Sequence, residues 1–303
     1  MSEKNQSEYW WNEIEEIKAD NSHGSVYLSN QAVNIVEEFI ARNSYRNRTE
    51  LLQSLSKLNN ALVRAKPLMA LIYNRTRNVL EFIHDMPKEE KDIQTIRSAA
   101  LKSIKDQRSS AEKNLKAITR FGARLIMEHH VVLVHSASKI VESILLEARR
   151  LRKRFKVICT ESRPLNEGSQ MAYRLSKAGI KTKLITDADI TRAINEANFV
   201  LTGTDRITET AFINKTGTHT LAILADKVNK PLYVAGETDK ILLKRTYPVR
   251  FSQQNFQEVY DEKNSNLTVS NIYFEEIPLS FVDKMIIEDG IFELKEFIDR
   301  YLK

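Results

Sequence analysis

The sequence predicts an α/β protein: a helical N-terminal domain over residues 1–129, then a Rossmann-like, doubly wound, mainly parallel sheet over residues 130–303. Two observations predict it. Apolar residues recur at helical spacing up to about residue 129, and beyond it short, wholly apolar runs alternate with helical stretches. Composition agrees, because 303 residues that are 42% hydrophobic can fill two ordinary cores, while eight Gly and six Pro exclude a collagenous or low-complexity chain.

In the N-terminal part, Ala32, Val33, Val36, Phe39 and Ile40 mark one apolar helix face, and Leu51, Leu52, Leu55 and Leu58 mark the next. Lys66-Pro67 interrupts the pattern, which resumes through Met69, Ile72, Leu80 and Ile83 and ends at Met86-Pro87. The segment from Glu89 to Glu128 reads as one long helix, apolar along Ile93, Ile96, Ala100, Ile104, Leu115, Ile118, Leu125 and Ile126. A helix with one apolar face needs partners, so this third of the chain should be a bundle.

The texture changes after His129. Val131-Val132-Leu133-Val134 is a β-branched run of the kind expected for a parallel strand buried on both faces. A helix follows through Ile140, Val141, Ile144, Leu145 and Ala148, then the strand Val157-Ile158-Cys159. A helix through Met171 and Leu175 stops at Gly179, whose free φ suits the position after a helix. Next come the strand Thr182 to Ile185, a helix through Ile190 and Ile194, and the strand Phe199-Val200-Leu201. A helix with Leu221, Ala222 and Leu224 then leads to the strand Leu232-Tyr233-Val234. This alternation predicts right-handed crossovers on both faces of a parallel sheet.

Several function classes drop out. No apolar run approaches the roughly 20 residues that span a bilayer, and the polar, acidic N-terminus is not a secretory signal. One cysteine, Cys159, allows neither an intrachain disulfide nor a cysteine-rich metal site, so a cytosolic protein is expected. Lys plus Arg number 46 against 40 Asp plus Glu, a net charge of +6 that could suit an acidic partner. The basic residues are dispersed, and Arg149-Arg150 and Arg152-Lys153-Arg154 are read as complementing the dipole at a helix end. Without a zinc-finger, RNA-recognition or basic-zipper pattern, direct nucleic-acid binding is not supported. His129-His130 are adjacent on an expected helix and point apart, and no His pair has metal-ligand spacing, so no metal and no cofactor are expected.

In doubly wound sheets ligands bind at the carboxyl ends of the strands. There this chain places His135-Ser136-Ala137-Ser138, Thr160-Glu161-Ser162-Arg163-Pro164, Asp187-Ala188-Asp189, Gly203-Thr204-Asp205-Arg206 and Gly236-Glu237-Thr238. The serine segment opens a helix, where free N–H groups favour an anion, although Ser136 or Ser138 can equally serve as its cap. Arg163 can clamp a phosphate bidentately or pair with Glu161 or Glu167. Asp205, with Asn214 and Lys215 nine and ten residues on, suits proton shuttling on a sugar phosphate, or is turn chemistry. No Walker loop or GxGxxG fingerprint is present.

Together these segments resemble the family that joins the α, β and δ subunits of translation initiation factor 2B with methylthioribose-1-phosphate isomerases and archaeal ribose-1,5-bisphosphate isomerases. The resemblance is carried by Thr160-Glu161-Ser162-Arg163-Pro164 with Gly168, by Gly203-Thr204-Asp205-Arg206-Ile207 and by Ile213-Asn214-Lys215-Thr216-Gly217-Thr218. Asn271, Phe274-Glu275, Pro278, Glu288 and Gly290 add a weaker tail, and the whole spans roughly residues 20 to 292.

The resemblance implies roles residue by residue. Asp205 stands at the isomerases' catalytic aspartate, but Ser136 stands where they carry a cysteine, and a serine hydroxyl is a much poorer acid than a thiol. Their Arg-Gly pair corresponds to His23-Gly24, and an Ala-Arg-Pro-Thr segment to Ala65-Lys66-Pro67-Leu68, so the guanidinium fork is lost at both places. The implied ligand-binding set is Gly24, Lys66, Ser136, Arg163, Asn214 and Lys215, and Asp205 with Ser136 would be catalytic only in an isomerase. The resemblance thus implies a regulatory initiation factor 2B-like subunit that binds a phosphorylated sugar or a nucleotide. It would form a homodimer or larger assembly, alone or with other initiation-factor subunits. The alternative is an aldose-ketose isomerase of the ribose-1,5-bisphosphate type.

Overall fold

A computed structural model describes residues 3–89, 92–262 and 264–303. The chain forms two compact units, Met1–Lys113 and Asn114–Lys303.

The first unit contains the helices α1 (Glu3–Ala19), α2 (Ser25–Arg42), α3 (Arg48–Ala65) and α4 (Ala70–Asp85), and most of α5 (Ile93–Leu125), whose last turns lie in the second unit. Helices α2, α3 and α5 bury most of the stripes their spacing predicts: Ala32, Val33, Val36 and Ile40 on α2, Leu51, Leu55 and Leu58 on α3, and Ile96, Ala100 and Ile104 on α5, while Phe39, Leu52 and Ile93 are half-buried. Several helix ends are closed by side chains. Asn47 caps α3 by accepting the Glu50 N–H at 3.0 Å, while the Glu50 carboxylate accepts the Arg46 N–H at 2.7 Å. The Arg48 guanidinium donates to the last carbonyls of α4, including those of Ile83 and Met86, and Arg97 does the same for Ile40 and Ala41 of α2.

The second unit continues with β1 (Val131–Val134), α6 (Lys139–Arg150), β2 (Lys156–Thr160), α7 (Glu167–Lys177), β3 (Lys181–Ile185), α8 (Ile190–Glu196) and β4 (Phe199–Gly203). Then come β5 (Arg206–Ile207), β6 (Ala211–Lys215), α9 (Thr218–Lys227), β7 (Leu232–Ala235), β8 (Phe274–Pro278), β9 (Lys284–Ile287), β10 (Gly290–Glu293) and α10 (Leu294–Tyr301). Among the described residues the main sheet runs β10-β9-β7-β4-β1-β2-β3, parallel except for the β9–β10 hairpin, and β5-β6-β8 form a small antiparallel sheet. The expected α/β class and mainly parallel sheet are therefore present.

Strand alternation divides the core. Leu133, Ile158, Val200 and Val234 pack with Ile190 and Ile194 of α8, Leu221 of α9 and Phe297 of α10. Val132, Val134, Val157 and Leu201 pack with Ile118 of α5, Ile140 and Ile144 of α6, and Met171 and Leu175 of α7. Both faces are thus covered, which is why the strands read as unbroken apolar runs. Cys159 lies in the second of these clusters, and burial pushes its thiol up to about 12. It should therefore react with a thiol reagent only as the protein unfolds. Native labelling as fast as that of a free thiol would contradict this placement.

Three details differ from the sequence expectation. The long helix ends at Leu125, and His129-His130 lie in a turn, not on a helix; His129 has φ 65° and His130 accepts the Met127 N–H through Nδ1 at 3.2 Å. Lys153 caps this helix end, donating to the carbonyls of Ala123 and Ile126 at 2.8 and 2.6 Å. Residues Arg152-Lys153-Arg154 accordingly lie beyond α6, which ends at Arg150, and serve the end of α5 instead; Arg154 also pairs with Glu128 at 3.1 Å. The small antiparallel sheet and the β9–β10 hairpin add strands the periodicity does not announce.

Candidate functional site

Strand order fixes where a ligand can enter. From the interior strand β1 the chain winds outward through β2 and β3, then returns to β4 on the other side of β1. The switch lies between the ends of β1 and β4, where Ser136–Ser138 face Gly203–Asp205 across the sheet. Approach is close: a Cβ on Gly203 would lie 2.4 Å from the Ser138 hydroxyl. Ser138 caps α6 by accepting the Val141 N–H at 3.4 Å, so of the two serines it is Ser138 that takes the cap.

Ser136 is left for other work. It sits at φ 66°, as Ser162 and Asn166 sit at 63° and 57° in the loop after β2. Side-chain and turn bonds hold these left-handed positions: Ser136 N–H donates to Ser162 Oγ at 2.8 Å, and the N–H groups of Ser162 and Arg163 donate to Asp187 at 2.8 and 2.7 Å. Over-determined backbone of this kind concentrates at functional sites. The Ser136 hydroxyl donates to Glu167 Oε1 at 3.0 Å, and the Lys215 ammonium meets the same oxygen at 3.0 Å. Lys215 is only 4% exposed and its Nζ lies 4.9 Å from the centre of the Tyr273 ring. The other oxygen, Glu167 Oε2, is buried without a hydrogen-bond partner.

Beneath them, His135 donates from Nε2 to the Thr216 carbonyl at 2.9 Å and shares a hydrogen bond with the Thr160 hydroxyl through Nδ1 at 2.7 Å. A carbonyl can only accept, so Nε2 carries a proton, and it is burial that favours the neutral ring. Gly217 makes room: its φ is +103°, and a Cβ there would lie 2.9 Å from the His135 ring. Burial lowers the proton affinity of His135, against the opposite pull of the Thr216 carbonyl and the Asp187 carboxylate. The unfolded chain takes up this proton near pH 6.5, while the folded chain resists it to lower pH. Stability is therefore complete above that point and falls with acidification, by up to about 1.4 kcal/mol per pH unit. His135→Gln should flatten urea midpoints measured between pH 7.5 and 5.5. An unchanged slope would mean that this histidine is not the sensor.

The remaining expected residues are dispersed. Asn214 is buried and donates to Thr202 Oγ1 at 2.9 Å and Thr218 Oγ1 at 3.0 Å, tying β6 to β4 and to α9. Asp205 is half-buried, its N–H donates to the Ile213 carbonyl at 2.9 Å, and among the described residues its carboxylate has no hydrogen bond or ion pair. Arg163 is exposed and pairs with neither Glu161 nor Glu167; its guanidinium donates to the Glu258 carbonyl at 3.1 Å. Gly24 and Lys66 belong to the first unit. Gly24 precedes α2, and Lys66 donates to Asn21 at 2.9 Å, with burial lowering its proton affinity. Glu167 and Tyr273 are not among the ligand residues the sequence suggests, yet both bear on Lys215.

Among the described residues no three His, Cys, Asp or Glu side chains converge as a metal ligand set would, and no helix is long and apolar enough to cross a membrane.

The model of the initiation factor 2 subunit family matches residues 21–294. A translation initiation factor eIF-2B subunit 2-like protein of Pyrococcus horikoshii is 30% identical over 279 residues, 92% of this chain and 94% of that one. A ribose 1,5-bisphosphate isomerase of Methanocaldococcus jannaschii is 27% identical over 282 residues, 91% and 89% of the two chains. The crystal structure of the translation initiation factor eIF-2B of P. horikoshii OT3 superposes with a TM-score of 0.79 at 27% identity, covering 94% of this chain and 96% of that one. A chain of the tetrameric eIF2B-beta2-delta2 complex of C. thermophilum shares the fold, with a TM-score of 0.76 at 20% identity over 96% and 93% of the chains.

Proposed function

The chain belongs to the initiation factor 2 subunit family, and on that premise we propose that it is an initiation factor 2B-like regulatory subunit that binds a sugar phosphate or nucleotide at its strand ends without converting it. One observation carries this reading. At the position where the resemblance places the isomerases' cysteine stands Ser136, whose hydroxyl is engaged by Glu167, while the chain's one thiol is sealed inside β2. A hydroxyl exchanges protons at neutral pH far more reluctantly than a thiol of pKa near 8.5.

The carboxylate of Asp205, which has no hydrogen bond or ion pair among the described residues, favours a second reading. An acid at the switch in strand order could shuttle the proton of an aldose-ketose isomerisation, with water or Ser136 in place of the thiol. Purified protein offered ribose 1,5-bisphosphate and methylthioribose 1-phosphate decides between them. The regulatory reading expects no turnover, but thermal stabilisation by sugar phosphates or nucleoside monophosphates, since a ligand of the native state stabilises by about 2.7 kcal/mol at a hundredfold excess over Kd. Turnover that Asp205→Asn abolishes would establish the isomerase instead.

The proposed assembly is a homodimer or larger, alone or with related subunits. Support comes from the structural neighbour that is a tetrameric complex of two kinds of subunit. Sedimentation should give at least twice the mass of one chain, and a monomer at micromolar concentration would refute the homodimer.

A further inference from the structure

Several donors that would greet an anion at these strand ends are already taken by the chain's own carboxylates. Asp187 accepts the N–H groups of Ser162 and Arg163. Glu275 accepts those of Gly217 and His219, both at 2.8 Å, at the start of α9. Glu167 Oε1 takes the Ser136 hydroxyl and the Lys215 ammonium together. Of these, the last is the decisive one, because Lys215 is a buried cation beside the switch in strand order and its charge is cancelled there. The second oxygen of Glu167 is buried with no hydrogen-bond partner, so the carboxylate is held for its contact with Ser136 and Lys215 at a desolvation cost.

We propose that Glu167 determines the ligand specificity of this site: its carboxylate fills the anion position between Ser136 and Lys215, so the site accepts the uncharged, hydroxyl-bearing end of a ligand and rejects a phosphate. This rests on the reading of a phosphorylated ligand above and narrows its class to sugar or nucleoside monophosphates over bisphosphates. A phosphate oxygen at the Ser136 hydroxyl would lie within a few ångström of Glu167 Oε1, where like charges repel strongly in a poorly solvated setting. A sugar hydroxyl meets no such penalty, and it can donate to the carboxylate.

The test uses inorganic phosphate as the probe, with binding followed by calorimetry and thermal midpoint. Glu167→Gln keeps the shape and an oxygen for Ser136 and Lys215 but releases the charge, and Glu167→Ala opens the position outright. Each variant should bind phosphate at least about tenfold more tightly than the native chain, and adding Lys215→Met should abolish the gain. The native chain should also be stabilised more by ribose 5-phosphate than by ribose 1,5-bisphosphate. Equal phosphate binding by native and variant proteins, a gain that survives Lys215→Met, or a native preference for the bisphosphate would each overturn the proposal. If no phosphorylated sugar or nucleotide stabilises the native chain, the regulatory reading fails by itself, and the comparison of variants with inorganic phosphate still decides the role of Glu167.

Discussion

Replacing Gly168 by alanine is expected to destabilise the sheet unit by about 3 kcal/mol and to disorder the loop after β2. Gly168 opens α7 where the helix presses on the end of β2, and a Cβ there would lie 2.0 Å from the Thr160 carbonyl oxygen and 2.6 Å from Ser162 Oγ. The carbonyl resists rotation, because Thr160 is held in register with Ile185 of β3. Relief therefore requires α7 to move away from the strand. That motion would pull Glu167 from Ser136 and Lys215, and would break the chain of hydroxyls from Ser162 through Thr160 to His135. For a unit of this size the thermal midpoint should fall by about 6–12 °C. Gly179→Ala is the control: its φ of +79° makes a side chain costly, but the nearest atoms belong to the Arg149 side chain, which can move. It should lose only about 1–2 kcal/mol. A Gly168→Ala protein as stable as the Gly179→Ala one would show that the packing at β2 is looser than the geometry describes.

The contrast between these two glycines also marks what a linear sequence can disclose. Gly179 is readable as a helix stop because its N–H closes locally on the Ser176 carbonyl at a positive φ, and the Ser138 cap and the apolar strands, whose burial on both faces removes any alternation, are readable too. The strand-end location of Ser136, Asp205 and Lys215 follows from the same reasoning. The pairing of Glu167 does not. Sequence proximity suggests Arg163, four residues away, but the cation that reaches Glu167 is Lys215, brought by β6 from 48 residues further on. Arg163 meanwhile turns to Glu258, in a long irregular segment that carries no periodicity to read. The small antiparallel sheet escapes notice for a related reason: β5 is two residues long and β8 mixes Glu275 and Glu276 with apolar neighbours.

Arg206 shows the same long-range dependence most strongly, and Arg206→Met should destabilise the protein by about 4 kcal/mol. At the start of β5 this arginine is wholly buried. Its Nε donates to the Leu242 carbonyl at 2.7 Å, and its Nη2 to the carbonyls of Leu243, at 3.1 Å, and Tyr247. Methionine fills much of the volume but leaves these acceptors without their donor, and each buried orphan costs about 1–3 kcal/mol. Lysine should rescue little, since one ammonium on a flexible stem does not reproduce the fork that reaches several carbonyls. The loss should also be local before it is global. Residues 242–247 are laid along β5 by Arg206 and by the Leu242 N–H donating to the Ile207 carbonyl at 2.9 Å. They lead into the segment whose Glu258 holds Arg163 and Tyr273, and Tyr273 in turn faces Lys215. Trypsin should therefore cut the variant first at Lys244 or Arg245 under native conditions, and ligand binding should weaken together with that protection. A variant with the native urea midpoint and native resistance at those bonds would refute the role assigned to Arg206.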